Sequence, residues 1–132
     1  MSARYSSGDV VRMNGCQVLV VDDEEANRDL LSGALEQEGY AVSTAENGAA
    51  AMSLLEGGLD PDLILTDLMM PVMSGWDFCT TLKARPQWRS IPVVVLCGMS
   101  PEQRGKLKVE GAFEKPTDLP ILFRRIAELC GI

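Results

Sequence analysis

Asp67 closes the apolar run LILT (63–66), and the pair Asp22 and Asp23 closes CQVLVV (16–21). An acid at the end of a buried strand is costly to desolvate unless something compensates it. Cys97 follows a third run, IPVVVL (91–96), and Lys115 follows a short one at about 111–114. If these runs are parallel strands, their carboxyl ends bring three carboxylates, a thiol and an ammonium together. Carboxylates a few ångströms apart repel by about 4 kcal/mol per close pair at an effective dielectric of about 20. A divalent cation resolves the conflict. Hard oxygen ligands, with no imidazole or thiolate among the acids, favour Mg²⁺, which prefers one or two carboxylates plus a phosphate oxygen. Lys115 can pair with a carboxylate at rest or with a phosphoryl oxygen during transfer. Pro116 follows it, and a cis bond there would aim the ammonium inward. Asp67 is the candidate nucleophile, since an aspartate can attack phosphorus to form an acyl phosphate.

The elements that must position these residues alternate between strand and helix. After CQVLVV, the stretch EEANRDLLSGALEQEG spaces Ala26, Leu30, Leu31, Ala34 and Leu35 as one helical face, with Gly39 as its stop. YAVST (40–44) and GAAAMSLLEGG (48–58) repeat the pattern, then DLILT (62–66) and a helix over 75–84. IPVVVL (91–96), a short helix at 101–109, a strand at 111–114 and a helix over 118–129 complete five pairs. Strands apolar on both faces and joined by helices predict a doubly wound α/β fold: a five-stranded parallel sheet with helices on both faces. Such sheets bind ligands outside the carboxyl ends of their strands, where the strand order reverses. Residues 1–14 are small and polar without periodicity, and read as an N-terminal arm ahead of one domain over 15–132.

Composition narrows the chemistry. The 132 residues contain no histidine, which removes Ser/His and Cys/His catalysis and histidine metal sites. A net charge of -7 without a basic patch argues against nucleic acid and anionic lipid as partners. No apolar run approaches the roughly twenty residues of a membrane span. The N-terminus lacks a signal core, so Cys16, Cys79, Cys97 and Cys130 are expected to be reduced thiols in a cytoplasm, at spacings that match no zinc or redox motif.

Taken together, VLVVDDEEANR, LILTDLMMPVMSG, IPVVVLCG and EKP resemble the response-regulator receiver domains of two-component signalling, similar to the single-domain chemotaxis regulator. The likeness covers about 16–130, and Pro71 and Gly75 fall at the family's positions after Asp67. It implies a flavodoxin-like sheet of strand order 2-1-3-4-5. It also implies that Asp67 accepts phosphate from a histidine kinase or phosphotransfer protein. Asp23 and Asp67 would bind Mg²⁺ directly, Asp22 through water, and Met69 through its backbone carbonyl, while Lys115 contacts the phosphoryl group. Output would be by protein contact with an unknown partner. The family's Thr or Ser is replaced by Cys97, followed by Gly98, which leaves space for phosphate. A thiol is a weak donor, so phosphorylation is expected to proceed with a weakened conformational readout. Between Cys97 and Lys115 the chain is a few residues short of the family norm, and the switch aromatic's position holds Ala112, with Phe113 next to it.

Each residue also has a plainer reading. Asp22 could cap the first helix with Glu25 completing a capping box, Asp67 could begin a turn before Pro71, and Lys115 could be a solvated lysine. Met69, Met70 and Met73 read as packing, Cys97 as a small buried residue, and Trp76 and Trp88 as partly buried anchors. The rival reading for the whole chain is a receiver-fold interaction module whose degenerate switch signals without phosphorylation. A Mg²⁺-dependent phosphohydrolase would need Asp-x-Asp after a strand, and a flavin protein a hydroxyl-rich loop where this chain has DDEE. Neither pattern is present.

Overall fold

The computed structural model describes residues 16–96, 102, 106, 109–113 and 119–131. Its elements are β1 (Gln17–Val21), α1 (Glu25–Gln37), β2 (Ala41–Ala45), α2 (Gly48–Glu56), β3 (Leu63–Thr66), α3 (Gly75–Ala84), β4 (Val93–Val95), β5 (Gly111–Ala112) and α4 (Leu119–Cys130). All strand pairs are parallel, in the order β2-β1-β3-β4-β5. This is the doubly wound sheet that the apolar runs predict. Of the expected helix at 101–109, Glu102 and Lys106 are helical and the rest, apart from Val109, lies outside the described residues.

Alternation along the strands divides the core in two. Leu19, Val21, Ile64, Val93 and Val95 face α2 and α3, packing on Ala51, Met52, Leu55, Phe78, Cys79 and Leu82. Val18, Val20, Leu63, Leu65 and Val94 face α1 and α4, packing on Leu31, Leu35, Leu122 and Ile126. Central strands covered on both sides must be apolar at every position, which is why β3 reads LILT without a polar break before Thr66. Trp88 is buried with the first cluster rather than lying at the surface, its ring beneath the Arg85 guanidinium at 5.3 Å.

Two expectations are corrected. Asp22 does not cap α1: the N-cap is Glu24, and the Asp22 carboxylate instead accepts the Glu24 N–H at 2.9 Å. The chain turns for two residues before the helix begins, so the capping box with Glu25 is not formed. Cys16 and Cys130 are not reduced thiols but a disulfide across 114 residues. Their distance in sequence hid the pairing, which arises because α4 returns to the starting edge of β1.

Candidate functional site

Register sets the site. Val21 pairs with Thr66, the last residues of β1 and β3, so Asp22 and Asp67 leave the sheet side by side. The Asp67 N–H donates to the Val21 carbonyl at 2.9 Å and the Asp22 N–H to that of Ala45 at 3.1 Å, carrying the parallel ladder one step past the strands. Chain order reverses between β1 and β3, where a crevice is expected in a doubly wound sheet. The crevice holds the acids. Asp22, Asp23 and Asp67 each offer a carboxylate oxygen, and these oxygens lie within 4.8 Å of one another. Asp22 is fully buried and Asp67 is 7% exposed, whereas Asp23 faces solvent.

Neighbouring groups hold the buried acids in place. The Asp22 carbonyl accepts Arg28 Nη1 at 2.8 Å, so the first turn of α1 ties back to the strand end. Sequence reasoning did not single out Arg28; its only signal is its place in the first turn of the helix that follows the acidic pair. Asp67 Oδ1 accepts the Met69 N–H at 3.2 Å, fixing the carboxylate's rotation. Thr66, fully buried, donates its hydroxyl to the Asp67 carbonyl at 2.8 Å and so leaves no orphan polar atom.

The loop from Asp67 to α3 is held close to the sheet. The Gly75 N–H returns to the Leu68 carbonyl at 2.9 Å, and the Met73 carbonyl accepts the Gly48 N–H at 3.3 Å. Between these contacts the Met73 N–H bonds the Pro71 carbonyl at 2.8 Å across Val72, whose φ is 69°. A β-branched residue in that conformation is strained. Met70 is buried as packing, in keeping with the plain reading of the methionines, but Met69 is 72% exposed beside the acids.

Of the residues singled out in the sequence, the structure thus brings Asp22, Asp23, Asp67 and Met69 to one end of the sheet. Cys97, Gly98, Lys115 and Pro116 lie outside the described residues. Phe113 packs on the second core cluster and Ala112 on the first.

Comparison with known proteins agrees with this geometry. Residues 18–127 match the response regulator receiver domain family. The response regulator PleD of Caulobacter vibrioides is 41% identical over 120 residues, which take in 86% of this chain and 26% of PleD. The chain therefore spans about a quarter of that relative's length. An uncharacterized 14.6 kDa protein of Leptolyngbya boryana is 34% identical over 117 residues, 86% of this chain and 88% of that one. Among solved structures, the chemotaxis response regulator CheY4 of Vibrio cholerae superposes with a TM-score of 0.77 at 29% identity, over 86% of this chain and 98% of its own. The signal receiver domain of a histidine kinase from Syntrophus aciditrophicus gives 0.79 at 29% identity, over 89% and 91%.

Proposed function

The chain belongs to the response regulator receiver domain family, and from that premise we propose that it is a Mg²⁺-dependent phosphoacceptor, phosphorylated on Asp67 by a partner histidine kinase or phosphotransfer protein. The observation that carries this is the meeting of Asp22, Asp23 and Asp67 within 4.8 Å where β1 and β3 end. An all-oxygen donor set suits Mg²⁺. Asp23 and Asp67 would ligate it directly, Asp22 through water and Met69 through its carbonyl; when bound, the ion offsets charge on the phosphoryl oxygens. An Asp67 carboxylate oxygen attacks the phosphorus of a phosphohistidine. The O–P bond forms as the P–N bond breaks, and the imidazole leaves with the electron pair. The donor imidazole comes from the partner, since this chain has none. Lys115 would sit on a phosphoryl oxygen, Cys97 would stand at the switch position, and Gly98 would leave room for phosphate.

Its own phosphorylation and dephosphorylation would be the only reactions the chain catalyses, and its output would pass through protein contact rather than nucleic acid or membrane. No described helix is long and apolar enough to cross a membrane, and we place the domain in the cytoplasm, where histidine kinases present their phosphate.

Incubation with acetyl phosphate and Mg²⁺, followed by intact-mass measurement, tests the reading. A hydroxylamine-labile adduct is expected in the wild type and not in Asp67→Asn. No adduct despite measurable Mg²⁺ binding would replace this reading with that of an interaction module, which the Cys97 substitution favours.

A further inference from the structure

We infer that Cys16 and Cys130 form a reversible redox site, a clasp that fastens the end of α4 to the start of β1 and that small thiols and disulfides open and close. The two residues are joined across 114 positions with their Cα atoms 6.2 Å apart, inside the roughly 4.4–6.8 Å that native disulfides span. Cys16 immediately precedes β1, is 4% exposed, and its carbonyl accepts the Ala41 N–H at 3.1 Å. The sheet therefore holds one sulfur still. The other is on the last residue of α4, a helix that places Leu122 and Ile126 in the core cluster containing Cys16. A link here closes a ring around nearly the whole domain, and long rings restrict the unfolded chain most.

Access gives the exchange a direction. Cys130 is half-buried and Cys16 is buried, so an incoming thiolate of glutathione type meets the Cys130 sulfur. It attacks Sγ of Cys130, the S–S bond breaks, and Cys16 leaves as a thiolate that takes up a proton. A second thiolate then attacks the mixed disulfide, releasing the Cys130 thiolate, which is protonated, and carrying off the oxidised reagent. Two electrons have passed to the protein. The reverse sequence, from a glutathione-type disulfide, closes the clasp. Cys79 does not compete: it is buried, and burial above all pushes its thiol up to about 12, with Lys83 lowering and Glu110 raising it, so almost none is thiolate.

Disulfides in a reducing compartment are transient or redox-sensing rather than permanent, so reversibility rests on the cytoplasmic location proposed above; the pairing does not. The clasp lies just before β1 and the acids just after it, about 20 Å apart along the strand. Opening it is expected to loosen α4 and leave the Mg²⁺ site unchanged.

The test uses the full chain equilibrated in graded mixtures of reduced and oxidised glutathione, quenched with iodoacetamide, then digested without reduction and also melted. We expect one linked peptide pair containing Cys16 and Cys130, its yield following the glutathione ratio. The clasped form should melt about 10 °C above the reduced form. Cys16→Ser and Cys130→Ser should melt alike in oxidising and reducing buffer, while Cys79→Ala should keep the difference between them. Alkylation of both residues at every ratio, a link that no ratio opens, a link to another cysteine, or equal melting temperatures would each overturn the inference. Acetyl phosphate labelling of both redox forms separates the two readings: a missing clasp with intact labelling removes only this inference, and missing labelling with an intact clasp removes only the other.

Discussion

At the residue scale, the phosphoacceptor position depends on a glycine as much as on acids. A Cβ at Gly75 would fall on the Asp67 carbonyl oxygen and within 2.6 Å of Leu68 Cα. Both are backbone atoms, so turning the Leu68 side chain, whose Cδ2 would lie at 2.9 Å, relieves neither contact. Gly75→Ala is expected to destabilise the domain by about 1–3 kcal/mol, as overpacking does. A shift of the Asp67 backbone that relieves the clash carries its carboxylate with it, so Mg²⁺ affinity should fall several-fold as well. Urea unfolding and Mg²⁺ titration of the same variant check both effects. Loss of stability with unchanged Mg²⁺ affinity would mean that α3 moves and the acid does not. Gly75 was noticed in the sequence as a family position and as the start of a helix; that it lies against the backbone of Asp67 needed the loop's path.

At the element scale, a side chain completes the edge of the sheet where β5 is too short. β5 has only two residues, Gly111–Ala112. The buried Val93 N–H donates to Glu110 Oε1 at 2.6 Å, while the Glu110 N–H returns to the Val93 carbonyl at 2.7 Å. Lys83 of α3 lies 3.8 Å from the same carboxylate oxygen, and Arg125 of α4 donates to the Glu110 carbonyl at 2.7 and 3.2 Å. Glu110 thus joins the strand edge to helices on opposite faces of the sheet. Removing the acceptor orphans a buried donor, so Glu110→Ala should cost about 1–3 kcal/mol. Glu110→Gln keeps a carbonyl oxygen for Val93 and should cost clearly less. Chemical denaturation of the pair decides, and equal losses would assign the effect to the ion pair instead. This bracing was not legible in the sequence, where Glu110 is an ordinary acid in KVEGAF. Local pattern revealed what repeats locally: the apolar runs of β1, β3 and β4, and α3 from Gly75 to Ala84. The acids were legible because each ends such a run. The Glu110 contacts, the burial of Trp88 and the Cys16–Cys130 link join residues distant in sequence, and no periodicity encodes them. The start of α1 was legible to within a residue of Glu25, and only the capping role of Asp22 failed, because Asp22 and Asp23 serve the strand end before the helix begins.

At the scale of the whole molecule, the two ends of the sheet carry different chemistry and the core between them carries almost none. Acids meet at the carboxyl end and the disulfide lies at the amino end, while Cys79 sits between them within the first core cluster. That thiol couples the fold to alkaline pH. Burial raises it from 9.0 to about 12, so from about pH 9 upward the unfolded chain gives up a proton that the folded chain keeps. The unfolded state then binds fewer protons, and stability must fall as pH rises. The contribution is complete below pH 9.0 and is lost through about 12. Tyr40, raised by burial and by Glu38 beside it, acts in the same direction from 10.0 upward. Cys79→Ala removes one of these groups and leaves the other. Its unfolding free energy, measured by urea at several pH values on the disulfide-closed protein, should therefore fall less steeply than that of the wild type, by up to about 1.4 kcal/mol per pH unit. Parallel profiles across that range would show that water reaches the Cys79 thiol in the folded state, and with it that the sheet is not sealed beneath α3.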